Sequence, residues 1–176
     1  MGLTRAFTNW SSRNYYLADL ANLSIGQGKL SGNAVNGAVL SAVIANRGII
    51  KEVNCVDSVV DGVGQIKRTL KVSGESRVIS ETTAQKIYNM MLKTNISGTG
   101  TTGYIENVGS GGKTGSAQTG WYVNGERYQH GWYTGFFPAE NPKYAMCVFV
   151  ENGKSGSETA APIFKAIGEN IVNLIS

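Results

Sequence analysis

The sequence predicts an α+β fold in which an antiparallel sheet, three of whose strands come from the second half of the chain, is flanked by helices. Three observations predict it. Two capped segments with apolar residues at helical spacing precede position 100, and a third such segment closes the chain. Before that third segment come three runs suited to strands, joined by connections too short for parallel crossovers. The stretch 97–112, with six glycines among sixteen residues, is read as a loop that separates the first two helices from the sheet.

In chain order, Ser11 and Ser12 begin a turn or helix, after which Tyr15, Tyr16, Leu17 and Leu20 are expected to pack inward. Asn33 is an N-cap, and from it Val35, Val39, Ala42 and Val43 recur at helical spacing until Gly48 supplies a stop. This helix should be largely buried. The runs Ile49-Ile50, Val56 to Val63 and Thr69 to Val72 suggest short strands broken at Gly62 and Gly64, with Lys51, Glu52, Lys67, Arg68 and Lys71 on a solvated face. Ser80 caps a second helix with an apolar stripe of Ala84, Ile87, Tyr88, Met91 and Leu92, and both Met90 and Met91 are read as core. After the glycine-rich loop the strands are roughly Gly112 to Thr119, His130 to Phe137 and Tyr144 to Glu151, with a polar turn around Asn124-Gly125 and the segment Pro138 to Pro142 as connections. The last helix runs from about Thr159 to Leu174, tolerates Pro162 in its first turn, and turns Ile163, Phe164, Ile167, Ile171 and Leu174 toward the sheet.

Composition narrows the function classes. With 176 residues, 41% hydrophobic and 16% charged, the chain is one domain's worth, able to bury roughly 70% of its unfolded surface. No apolar run approaches the roughly 20 residues of a membrane span, and Met1-Gly2-Leu3-Thr4 does not begin a signal peptide, so any anchor is expected outside this chain. The +4 charge is modest and its Lys and Arg are scattered, which gives nucleic acid little to bind. Cys55 and Cys147 make neither a disulfide framework nor a metal site, no cofactor is expected, and Cys147 reads as core. His130, the single histidine, has no Ser-His-acid set around it and is assigned a structural role.

Gly111-Gly112-Lys113-Thr114-Gly115-Ser116-Ala117-Gln118 concentrates a cation, two hydroxyls and three glycines without an acidic group, the composition of an anion-recognising edge. On a strand, Thr114 and Ser116 share one face, and bare Gly115 between them lets a ligand approach the backbone. The phosphate-loop pattern, which would make this a nucleotide-binding protein, is only half matched here. Its first glycine would fall on Asn107, and Gly115, Thr119 and Gly120 are poor openers of the helix that such a loop requires.

The alternative is the Lys-Thr-Gly signature of penicillin-recognising serine enzymes, and its neighbours carry that reading. Ser24-Ile25-Gly26-Gln27-Gly28, Ala45-Asn46-Arg47-Gly48, Arg77-Val78-Ile79-Ser80 with Thr83-Ala84, and Gly98-Thr99-Gly100 precede it. His130-Gly131-Trp132-Tyr133-Thr134-Gly135-Phe136 and Phe137-Pro138-Ala139-Glu140-Asn141-Pro142-Lys143 follow. In this order, from about Leu20 onward, they resemble the C-terminal half of the transpeptidase domain of class B penicillin-binding proteins. The resemblance implies a β-lactamase-like sheet-and-helix fold, serine acyl transfer on the D-alanyl-D-alanine stem peptide of peptidoglycan, and reaction with β-lactam antibiotics on the outer face of the bacterial membrane. It implies that Ser116 donates its backbone N–H to an oxyanion, that the Thr114 and Ser116 hydroxyls bind a terminal carboxylate, and that Lys113 supplies positive potential. By the same resemblance Gln118 lines the rim, and the substrate backbone lies along the strand at Gly115.

The chain departs from the family in its first half. The nucleophile motif S-x-x-K is expected to be missing, and Ser12-Arg13-Asn14, which spells the family's S-x-N, lies only ten residues before Ser24 where the family has several tens. Residues 1–176 are therefore read as the C-terminal portion of one transpeptidase domain, inactive alone, with a stand-alone muropeptide-binding or assembly module, or a nucleotide-binding protein, as the alternatives. Without the first half's strand beside it, the strand 144–151 should expose an apolar edge that is covered by the chain's own N-terminal segment or by a second copy.

Overall fold

The computed structural model describes residues 7–8, 16–28, 30–70, 74–123 and 125–175, with the side chains at 7, 8, 126 and 127 left aside. Its first elements are β1 (Phe7–Thr8), α1 (Leu17–Ser24) and β2 (Leu30–Ser31), the two strands pairing antiparallel. Next comes α2 (Ala34–Ala45), begun by a reciprocal cap in which the Asn33 side chain accepts the Asn36 amide at 3.0 Å and the Asn36 side chain accepts the Asn33 amide at 2.9 Å. Gly48, at φ 89°, ends it by returning its amide to the Val43 carbonyl. Then β3 (Ile49–Lys51), β4 (Ser58–Val60), β5 (Ile66–Thr69) and β6 (Glu75–Arg77) form two small ribbons, β3 with β6 and β4 with β5. The Ser80 hydroxyl caps α3 (Glu81–Ser97) by accepting the Thr83 amide.

The main sheet has the order β7-β8-β9, with β7 (Gly111–Val123), β8 (Glu126–Phe137) and β9 (Tyr144–Val150) antiparallel throughout. Alternation along β8 builds two cores. Thr134 and Phe136 face α2 and α3, where the Thr134 hydroxyl donates to the Gly37 carbonyl at 2.6 Å and Phe136 stacks on Tyr88 at 4.6 Å. Tyr133 and Phe137 face α4 (Ala161–Ile175), meeting Phe164 at 4.7 and 5.8 Å. Each of these aromatic side chains removed from water contributes on the order of 1.5–3 kcal/mol. Gly112 is required where the Tyr133 ring crosses β7, since a Cβ there would meet the phenol oxygen and Cζ.

Several expectations change. Tyr16, Leu17 and Leu20 are exposed, because α1 buries no residue; Ser11, Ser12 and Tyr15 lie outside the described residues, as do Lys71 and Val72. In α2 only Asn36, Ser41, Val43 and Ile44 are buried, so the helix is half-buried, and Leu40 points to solvent. Met91 is core while Met90, one residue round the helix, is exposed. In the last helix Phe164 is fully buried and Ile171 packs on the same core, but Ile163, Ile167 and Leu174 are exposed because Ala161, Phe164 and Gly168 form the face that meets the sheet. That helix is preceded by one π turn, Gly156–Ala160. Both strands of the β7–β8 hairpin run further toward its tip than read, with a register shift between Gln118 and Tyr122 where Gly120 sits at φ 80°.

Candidate functional site: the open edge of β7

The start of β7 is held by a buried polar chain. The Tyr133 hydroxyl donates to Asn95 Oδ1 at 2.7 Å, Asn95 Nδ2 donates to Ser110 Oγ at 2.8 Å, and Ser110 Oγ accepts the Ile105 amide and donates to the Gly103 carbonyl. Burial pushes the Tyr133 phenol well above its ordinary pKa, so it acts as a neutral donor. This chain ties α3, the glycine-rich loop and β8 to the residue immediately before the strand.

On β7 itself, Lys113 is exposed and its ammonium donates to the Thr114 carbonyl at 2.6 Å. The Thr114 and Thr99 hydroxyls lie 2.8 Å apart, which brings the Gly98-Thr99-Gly100 turn against the strand. Gln27 Nε2 donates to the Ser116 carbonyl at 3.2 Å from between Gly26 and Gly28, both left-handed at φ 75° and 79°. That carbonyl is therefore turned away from β8. Because the N–H and C=O of one strand residue point to the same side, and alternate residues repeat the direction, the amides of Thr114 and Ser116 lie along the edge that no strand covers among the described residues. The Ser116 hydroxyl accepts the Gly156 amide at 3.3 Å, leaving its own proton free to donate. Gly115 stands opposite Trp132, and Gln118, opposite Gln129, is exposed further along the same face as Thr114 and Ser116. The edge thus combines a cation, two hydroxyls and outward amides, the donors that an anionic ligand needs.

Residues 1–169 match the family model of the penicillin binding protein transpeptidase domain. The chain belongs to that family. Among curated relatives it is 32% identical over 154 residues to the peptidoglycan D,D-transpeptidase PbpA of Mycolicibacterium smegmatis, covering 85% of this chain and 31% of that protein. It is 34% identical over 107 residues to the probable peptidoglycan D,D-transpeptidase PenA of Neisseria flavescens, covering 56% and 26%. The crystal structure of PBPA from Mycobacterium tuberculosis superposes with a TM-score of 0.73 at 29% identity, covering 87% of this chain and 35% of that one. The chain spans about a quarter to a third of the length of these relatives, and its fold is that of the penicillin-recognising serine transpeptidases.

Within this transpeptidase-family chain one literal S-x-x-K does exist, Ser110-Gly111-Gly112-Lys113, which corrects the expectation that the string is missing. It cannot act as a nucleophile pair. Ser110 is 1% exposed with its hydroxyl engaged three ways, and in extended backbone residues three apart face opposite sides. Ser12-Arg13-Asn14 lies outside the described residues. His130 accepts the Asn152 amide on Nδ1 and packs edge-on to Tyr128 and Phe149, contacts that hold the turn after β9 against β8. Residues 111–123 continue as a strand rather than opening a helix, so Lys113 is not a phosphate-loop lysine. Gln27 and Thr99 stand in the motif strings of the sequence, but their meeting with Ser116 and Thr114 is a product of tertiary structure. No helix among the described residues is long and apolar enough to cross a membrane.

Proposed function

We propose that the chain is the substrate-recognition wall of a peptidoglycan D,D-transpeptidase, the C-terminal portion of a domain whose other portion carries the serine nucleophile and the S-x-N motif. The observation that carries this reading is the open β7 edge, with Lys113, Thr114 and Ser116 beside outward amides. In the assembled domain the nucleophile attacks the D-alanyl-D-alanine amide, or the strained amide of a β-lactam, and the acyl group passes to a neighbouring amine. The Ser116 N–H receives the oxyanion, a donor whose loss typically costs on the order of 100-fold or more in rate. The Thr114 and Ser116 hydroxyls receive the terminal carboxylate through charge-assisted bonds worth about 1.5 to 3 kcal/mol each. Lys113 provides the positive potential and organises proton transfer, while Gln118 lines the rim.

Gly115 leaves room for the substrate backbone along the strand, and the second lone pair of the Ser116 carbonyl can accept a substrate amide beside Gln27. Imipenem and ceftriaxone acyl-enzymes of penicillin-binding protein A from M. tuberculosis, both sharing this fold, support β-lactams as ligands. This chemistry supports a position on the outer face of the bacterial membrane. Incubation with a fluorescent penicillin tests the assignment. The chain alone should show no covalent label after denaturing electrophoresis, the complete domain should label, and Lys113→Ala in the complete domain should reduce labelling at least 10-fold. Label mapped to Ser12 or Ser110, or a complete domain indifferent to Lys113→Ala, would overturn it.

A further inference from the structure

The Ser116 hydroxyl touches more than the ligand edge. Its oxygen accepts the amide of Gly156, the first residue of the π turn that runs without a break into α4. Ser155 caps the same end by accepting the Glu158 amide, and its carbonyl accepts the Thr159 hydroxyl and amide. The Gly156 amide is thus an end-of-helix donor that has been given to a side chain on β7 instead of to water.

The approach is made possible by the absence of a side chain. A Cβ on Gly156 would stand 2.5 Å from the Gly115 carbonyl oxygen, 2.8 Å from the Gly115 nitrogen, and against the Trp132 carbonyl, all backbone atoms that cannot swing away. Gly156 is buried, whereas Ser116 is exposed. We propose that Gly156 is a positioning residue for the anion site. Its amide pins the Ser116 oxygen as an acceptor, which turns the hydroxyl proton toward the open edge, and the partial positive charge of the helix start makes that proton a stronger donor to a carboxylate. The inference rests on the reading of Ser116 as a carboxylate donor, and adds that the donor is oriented and polarised from behind by α4.

Nuclear magnetic resonance on the ¹⁵N-labelled chain tests it, with N-acetyl-D-alanyl-D-alanine as the probe and the same peptide ending in a carboxamide as the control. A carboxylate drawing on the hydroxyl proton makes the oxygen a better acceptor, so the Gly156 amide should move downfield with the same midpoint as the Ser116 amide. The carboxamide peptide should leave Gly156 in place. Ser116→Thr, which keeps the hydroxyl, should preserve the Gly156 response. Ser116→Ala should abolish it and speed Gly156 amide exchange about 3- to 10-fold, while the sheet amides of Gly135 and Phe136 hold their positions and report an intact fold. A Ser116 amide that responds to the peptide while Gly156 does not, or a Gly156 response that survives Ser116→Ala, overturns the inference and leaves the functional reading standing. Silence at both residues with peptide in large excess overturns the functional reading and the inference with it.

Discussion

Asn95 uses both halves of its amide between Tyr133 and Ser110, and it does so with 2% of its surface exposed. Tyr133→Phe keeps the ring on Phe164 and removes only the hydroxyl, leaving Asn95 Oδ1 buried without its donor. The expected loss is about 1–3 kcal/mol, read as a lower urea midpoint at unchanged slope. A midpoint equal to that of the parent would show that the polar chain does not stabilise the fold. The two cysteines give a second prediction. Cys55 is exposed, whereas burial pushes the Cys147 thiol from 9.0 up to about 11 against a smaller lowering by the Thr134 hydroxyl. A thiol-specific disulfide reagent at pH 8 should therefore label Cys55 quickly and Cys147 only after unfolding. Because the folded value is raised, the unfolded chain loses this proton first. The stabilising contribution is complete below about pH 9 and is lost as pH rises through about 11. Denaturation midpoints at pH 8 and 10.5 should differ less in Cys147→Ala than in the parent, and an equal difference would remove Cys147 as the cause. Caps such as Asn33 and Ser80 were legible in the sequence because their chemistry spans three residues. Asn95 was not, because a lone amide on a helix carries no sign of the phenol 38 positions away that buries it.

Among the elements, β9 has a covered face and an uncovered edge. Val148 is buried in the α4 core and α2 lies close to the strand, a Cβ on Gly37 standing 2.5 Å from Cys147 Sγ. The far side of β9 has no strand partner among the described residues, and β1 pairs with β2 rather than reaching it. Alternation along the strand turns the Cys147 and Phe149 amides outward. The isolated chain is expected to pair copies edge to edge there, or to lay its own N-terminal segment over it. Light scattering combined with amide exchange distinguishes the outcomes, and a monomer whose Cys147 and Phe149 amides exchange like a disordered tail would exclude both. The exposed apolar residues of α1 and α4 share one cause with this edge. Spacing such as Leu17 and Leu20, or Ile163 and Ile167, shows which side of a helix is apolar, but not whether anything in the same chain covers it.

For the whole molecule, the order of helices and strands and the position of the Lys113 edge were readable because each rests on local pattern or on a run of motif letters. The seating of Gln27 on Ser116, 89 positions away, was not, since only the closed fold brings them together. The full length of the β7–β8 hairpin is hidden in the sequence for a related reason. Gly120 looks like the end of a strand in sequence, yet its left-handed backbone makes a bulge that lets the ladder resume at Tyr122. That bulge has a practical consequence. Beyond it the tip carries exposed Trp121, Tyr122 and Val123, while the residues proposed to recognise substrate, Lys113 to Gln118, lie wholly on the near side, so the bulge works as a crease between a handle and a blade. A short tag spliced in at Gly125 should leave the amide spectrum of residues 111–118 unchanged, and a shift there would show that the crease transmits strain. If it does not, the hairpin is the place to tether this domain to a surface or a reporter while its working edge stays free.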